Sequence, residues 1–306
     1  MNKLFCLIVI CFLSFSNGSA QAKSEIYEPS FFEETLLKNI ENLSADAFEG
    51  RRTGTRGGIK ARKYVINEFS KLGVQPLFKR NYEQPFTFTL DGKYYEAANV
   101  LGVIKGEKYP DKYIVISAHY DHEGIKHGEI YNGADDNASG VGALFSFAEY
   151  YQYHQPKYSI ILAAFDAEEL GLQGSKYFVN NPKIPFKNIV FNINMDMISR
   201  SENNELFAVG AAHYPFLKSV IKGIETPDNF KLSMGHDQGN WKEDWTHSSD
   251  HAPFHKQGIP FLYFGVEDHS DYHEPTDDYE NIQPVFYSNA VKVIISVFEK
   301  LDSLSL

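Results

Sequence analysis

The chain has 306 residues, 43% of them hydrophobic and 23% charged, a balance typical of globular proteins rather than disordered or fibrous ones. Lys and Arg number 29 against 40 Asp and Glu, a formal charge of −11, and no basic run is long enough to track a phosphate backbone, which points away from nucleic acid as a partner. The 24 Phe and 19 Tyr supply bulky apolar surface for a sizeable core, and this sets aside a small cross-linked scaffold.

The first residues read as a leader rather than as part of the fold. Lys3 precedes an apolar run from Leu4 to Phe15, which is followed by the small and polar residues SNGSAQA. That order is the pattern of a secretory signal peptide, with cleavage expected after Ala22, where Ala20 and Ala22 form an A-x-A step. The domains expected are therefore a signal peptide over residues 1–22 and one catalytic domain over 23–306. The protein is expected to be exported, to the periplasm or the exterior, with no membrane span in the mature chain. Both cysteines, Cys6 and Cys11, fall inside the leader, so the mature chain would have neither a disulfide nor thiol chemistry. Ile10 stands before Cys11 where a lipoprotein signal needs a small residue, which disfavours a lipid anchor.

Beyond the leader, residues 31–43 and 58–72 carry apolar residues at helical spacing around a Gly- and Arg-rich turn, EGRRTGTRGG. The alternation from Pro85 to Gly106, with Asp91-Gly92 at its centre, predicts a β-hairpin running into another strand. Short apolar runs at 113–121, 158–167, 188–196 and 259–266 read as buried strands. Helical patterns at 138–153, 172–180, 214–224 and 284–303 separate most of them. This alternation predicts an α/β fold: a three-layer sandwich with a mostly parallel mixed sheet covered by helices on both faces.

The acidic and imidazole side chains cluster just after the apolar runs. His119 and Asp121 end the first, Asp135 and Asp136 sit in the loop NGADDNASG, Glu168 and Glu169 close the second run, Asp196 closes the third, and His273 follows the fourth. Carboxyl ends of strands form the ligand crevice of open α/β sheets, so these groups are expected on one rim. Carboxylates brought together repel one another and call for a cation, and a mix of imidazole and carboxylate suits zinc. Taken singly, each motif has a plain structural explanation, such as a helix cap or a solvated turn; in this order and at strand ends the set does not.

The set is similar to that of the secreted co-catalytic zinc aminopeptidases, metallopeptidase family twenty-eight. The matching segments are HYD (119–121), GADDNASG (133–140), EELGLQGS (168–175), NMD (194–196), SDHAPFHKQGIP (249–260) and YHEPTDD (272–278), with FEGRRTGTRGG upstream. The resemblance implies two zinc ions, one held by His119 and Asp196, the other by Glu169 and His273, with Asp135 as the bridge. It implies Glu168 as general base and Asp121 as the carboxylate that orients His119. It also places a cis peptide at Asp135–Asp136 and puts Asp250 and His251 near the pocket, although Asp250 could equally cap the following helix. The substrates implied are peptides with a free N-terminus, with no obligate protein partner.

Two departures from the family pattern stand out. Thr246 occupies the position where some members place a Tyr that donates to the scissile oxygen, and Glu274 replaces a neutral residue beside His273. The other histidines, at 122, 127, 154, 213, 236, 247, 255 and 269, are expected at the surface or on helices. The polar loop 235–250 is expected to form the pocket rim, with Lys242 as its nearest cation. The competing activities are a dipeptidase or carboxypeptidase, a glutaminyl-cyclase-like acyltransferase, and a binding protein that has lost the chemistry. Retention of all six expected residues argues against the last, and Asp136-Asn137 against the cyclase.

Overall fold

A computed structural model describes residues 30–237 and 243–306; the expected leader, together with Trp241 and Lys242 of the rim loop, lies outside the described residues. Helices α1 (Glu33–Leu43) and α2 (Arg56–Lys71) open the domain, and Thr55 caps α2 by accepting from Gly58 N. Next come β1 (Gln75–Pro76), β2 (Glu83–Leu90) and β3 (Lys93–Ile104). The hairpin between β2 and β3 turns at Asp91 and Gly92, both at positive φ, 49° and 75°, the geometry a two-residue hairpin needs.

The chain continues through β4 (Tyr109–His119), a small ribbon of β5 (Gly124–Lys126) and β6 (Glu129–Tyr131), α3 (Gly140–Tyr150), β7 (Tyr158–Phe165), α4 (Gln173–Asn180) and β8 (Ile189–Met195). It ends with β9 (Glu205–Val209), α5 (Leu217–Lys222), β10 (Lys231–Met234), α6 (His251–Lys256), β11 (Phe261–Gly265) and α7 (Pro284–Asp302).

The main sheet has nine strands in the order β1-β3-β7-β4-β8-β11-β9-β10, with β2 on the outer side of β3. Its centre, β7-β4-β8-β11, is parallel, and β3 and β9 run antiparallel on either side. Alternate residues face opposite layers. Ile114, Ile116 and Ala118 of β4 pack with α1, α2, α3 and α7, whereas Tyr113 and Val115 pack with Phe178 of α4 and Phe254 of α6. This is the three-layer α/β sandwich expected from the sequence. Short β9 and β10 were not expected as strands; each is too brief to show a period of its own. Among the described residues no helix is long and apolar enough to cross a membrane.

Candidate metal centre

The four central strands are parallel, so their carboxyl ends lie along one edge, and the residues that follow them meet there. His119 is the last residue of β4, Asp196 follows β8, and Glu168 and Glu169 follow β7 by a short turn. His119 Nε2 is 3.2 Å from Asp196 Oδ1 and 3.2 Å from Asp136 Oδ1. His273 Nε2 is 3.1 Å from Asp136 Oδ2 and 3.2 Å from Glu169 Oε2. One carboxylate, that of Asp136, thus lies between two imidazoles far apart in sequence.

Asp135, the expected bridge, stands apart from these imidazoles. Asp135 is buried behind the rim: Ser199 donates to its Oδ1 through both N and Oγ at 2.7 Å, and His269 Nε2 lies 3.0 Å from Oδ2. The cis peptide is Asp136–Asn137, not Asp135–Asp136. The loop GADDNASG is held at nearly every position. Asp277 accepts from Asp135 N at 2.9 Å and from Asp136 N at 3.0 Å. Asn137 donates to Met195 O at 2.9 Å and accepts from Gly140 N at 2.8 Å. Gly133 has φ +56°, and a Cβ there would come within 2.1 Å of Asp136 O and 2.5 Å of the His122 ring. Arg51, fully buried, donates to the carbonyls of Gly133 at 2.8 Å, Tyr120 at 3.0 Å and Leu43 at 2.9 Å, which ties the loop to the N-terminal helices. Asp277 and Arg51 were not singled out from the sequence, although both belong to quoted motifs.

Asp121 acts differently from expectation. Its carboxylate is 3.8 Å from His119 Nδ1, and the ring instead meets the Asp121 backbone oxygen at 3.1 Å. The carboxylate accepts from Glu168 N at 3.0 Å and Glu169 N at 3.4 Å, with Thr53 Oγ1 3.2 Å away, and so fixes the turn that presents both glutamates. Asp196 is oriented through a buried polar chain: Ser249 Oγ donates to its Oδ2 at 2.7 Å, and Asn194 Nδ2 donates to Ser249 Oγ at 2.9 Å. Asp250 sits before α6 without a side-chain capping bond; burial pushes its carboxyl up to about 6, against the pull of His119. His251 is buried against Tyr263, ring centroids 4.6 Å apart, and burial lowers its pKa to about 3. Both are buried near the site, as expected.

The rim is electrostatically crowded. Burial raises the Glu168 carboxyl well above its usual range; Asp196, Asp250 and Glu169 add to the rise, and His119 opposes it. Burial alone would lower His273, yet its contacts to Asp136 and Glu169 push it up to about 11. Glu169 is held down at about 2, because the closeness of His122 and His273 outweighs burial and the Asp136 charge. Carboxylates and imidazoles this close are the donor set of a zinc site. Ligand atoms of His119, Asp136 and Asp196 lie within 4.8 Å of one another, as do those of Glu123, Glu169 and His273.

The centre opens into a cavity of about 640 Å³ lined by His119, Asp136, Glu168, Glu169, Asp196 and His273 and, further out, by Leu172, Glu243, Asp244, Trp245, His247, Ser248, Tyr263, Asp268 and Tyr272. Described residues of the 235–250 loop therefore form part of its wall. Thr246 does not line it: its hydroxyl meets Asp244, and His213 Nε2 lies 2.9 Å from it. The phenols that reach the cavity are Tyr263 and Tyr272. Glu274 is exposed and outside it. Of the histidines expected at the surface, His122 and His236 are buried and His269 faces Asp135, whereas His127 and His247 are exposed.

Comparisons agree with this geometry. The chain is 28% identical over 183 residues to a probable zinc metalloprotease of Pyrenophora tritici-repentis, 55% of this chain but 36% of that relative. It is 30% identical over 199 residues to aminopeptidase YwaD of Bacillus subtilis, 60% of this chain and 40% of the relative. It thus spans well under half the length of these relatives. Among solved structures, a Zn-dependent exopeptidase from Parabacteroides distasonis shares the fold with a TM-score of 0.71 at 22% identity, covering 89% of this chain and 99% of that one. A glutaminyl cyclase from Porphyromonas gingivalis does so with a TM-score of 0.70 at 18% identity, covering 90% and 100%. The model of peptidase family M28 matches residues 99–298, two-thirds of the sequence and every strand-end ligand position described above. The chain is a member of that family.

Proposed function

We propose that the protein is an exported aminopeptidase that removes N-terminal residues from peptides and works with two zinc ions. Asp136 would serve both, His119 and Asp196 completing one set of donors and Glu169 and His273 the other. When bound, such a pair supplies Lewis acidity that polarises a carbonyl and lowers the pKa of water. Glu168, which faces the cavity, takes the proton from the attacking water and delivers it to the leaving amine. Asp121 keeps Glu168 and Glu169 in place through their backbone amides. Tyr263 and Tyr272 are the phenols available to the oxygen on which charge develops, in place of the residue at Thr246.

The observation that carries the aminopeptidase reading is the charge of the cavity wall. Asp136, Glu168, Glu169, Asp196, Glu243, Asp244 and Asp268 line it, and no Lys or Arg does among the described residues. A substrate amine is favoured in that field, whereas a terminal carboxylate would need a cation to receive it. The leader reading supports export, with residues 23–306 as the catalytic domain. Likeness to a glutaminyl cyclase is one of fold, and the Asp136 carboxylate between two imidazoles supports a two-metal hydrolase instead.

The test compares aminoacyl nitroanilides and short peptides with their N-acetylated forms. Cleavage confined to free amines is expected. Equal turnover of acetylated substrates, or release only from the C-terminus, would contradict the aminopeptidase reading.

A further inference from the structure

We infer that His122, outside the five-ligand set expected from the sequence, is a further ligand of the metal held by Glu169 and His273. This rests on the two-metal reading above and adds to it a donor particular to this chain's residues.

His122 directly follows Asp121 and is fully buried. Neither of its ring nitrogens has an aligned hydrogen-bond partner. Burying a polar group unpaired costs about 1–3 kcal/mol, so a core histidine normally satisfies at least one nitrogen. The neighbouring His251 does so, with Nε2 2.9 Å from Trp245 O, and His119 has Nδ1 3.1 Å from Asp121 O. Nδ1 of His122 instead lies close to carboxylates without aligning on either. Nδ1 is 2.8 Å from Glu169 Oε1 and 3.7 Å from Asp136 Oδ2.

Those two carboxylates are the ones that also approach His273 Nε2, at 3.2 and 3.1 Å. Zinc holds nitrogen and oxygen donors at roughly 2.0–2.2 Å, so two donors on one ion are at most about 4.2 Å apart, and nearer 3.3 Å when the arrangement is tetrahedral. These four separations fall within that limit; ligand atoms of His122, Asp136 and Glu169 group within 4.8 Å of one another, and those of His273 group with Glu169 and Glu123, so Glu169 is the donor common to both imidazoles. The loop is shaped around this ring: Gly133 has no side chain where a Cβ would stand 2.5 Å from His122 Cδ2. Aligned with a metal rather than with a carboxylate oxygen, Nδ1 would cease to be an orphan.

The alternative role is a positioning one, in which Nδ1–H merely orients Glu169. Losing such an outer-shell partner typically weakens metal binding about 10–100-fold, whereas losing a ligand should exceed that range. The experiment strips wild type, His122→Ala and His122→Asn of metal, titrates zinc back in competition with a chromophoric chelator, and records X-ray absorption of the zinc-loaded wild type. Wild type should take two zinc ions, with the spectrum requiring three imidazoles over the pair. Both variants should keep one zinc at wild-type affinity and hold the second more than about 100-fold more weakly, with far-UV circular dichroism unchanged. Two imidazoles in the wild-type spectrum, or a His122→Asn variant that holds both ions within about 100-fold of wild type, would overturn the assignment while leaving the two-metal reading intact. A wild type that takes a single zinc would overturn both. If neither variant folds, the wild-type spectrum alone decides between three imidazoles and two.

Discussion

This molecule buries carboxylates in two opposite ways. Beneath the hairpin, Asp166 accepts from Ala98 N at 3.0 Å, the Tyr120 hydroxyl at 2.7 Å and the Thr53 hydroxyl at 2.9 Å. Near the C-terminus, Asp302 likewise accepts from Lys157 N at 2.7 Å and Tyr158 N at 2.8 Å. Neutral donors serve these groups: Asp166 ties the end of β7 to β3, and Asp302 ties α7 to the start of β7. At the rim, Asp136, Glu169 and Asp196 face imidazoles and one another, and few neutral donors reach them. A buried charge served by amides and hydroxyls is structural; a cluster without them is completed by a cation.

Substitutions can break this contrast or sharpen it. The largest effect is expected at Asp136: Asp136→Asn should lose metal from both sets of donors and reduce turnover to background, measured by elemental analysis beside a nitroanilide assay. Asp135→Asn should keep its metal, since Asp135 answers to Ser199 and His269; equal metal loss in both variants would return the bridge to the neighbouring residue.

Glu168→Gln comes next. It should lower kcat by about 10²–10⁴-fold with zinc content unchanged, the usual contribution of a proton-shuttling side chain. If that variant lost zinc while Glu169→Gln kept it, the roles of the two glutamates would be exchanged.

A smaller effect is expected at Ser249, whose hydroxyl supports Asp196. Ser249→Ala should weaken zinc binding at that end about 10–100-fold, read by chelator competition, with the fold intact. Unchanged affinity would show that the polar chain through Asn194 serves packing only.

Asp166→Ala should act on stability and not on metal. Each donor it orphans costs about 1–3 kcal/mol, and a domain larger than 150 residues loses about 2–4 °C of Tm per kcal/mol, so a fall of several degrees is expected by calorimetry. Zinc lost from the purified, folded variant would mean that Asp166 belongs functionally to the rim.

The contrast also explains what could be read from the sequence. Apolar runs such as YSIILAAFDA mark buried parallel strands unmistakably, and fixing where strands end fixes where His119, Asp196, Glu168 and Glu169 stand. The loop between Gly133 and Gly140 offers no such period. Asp136 and Asn137 depart from regular geometry, φ −103° and −130°, so nothing in the run of three polar residues tells which side chain faces the rim. His122 was hidden for a similar reason: a histidine beside a strand end looks like a surface residue until the loop at Gly133 closes against its ring. Arg51 and Asp277 escaped because their partners are backbone groups far away in sequence, which no spacing rule registers.

The central claim is that the carboxylates of the rim form one two-metal centre built on Asp136. An anomalous difference map from crystals of the zinc-loaded protein, recorded on both sides of the zinc edge, tests it directly. Two peaks flanking the Asp136 carboxylate, one toward His119 and Asp196 and the other toward Glu169 and His273, are expected. A single peak, or a pair bridged by Asp135, would contradict the account.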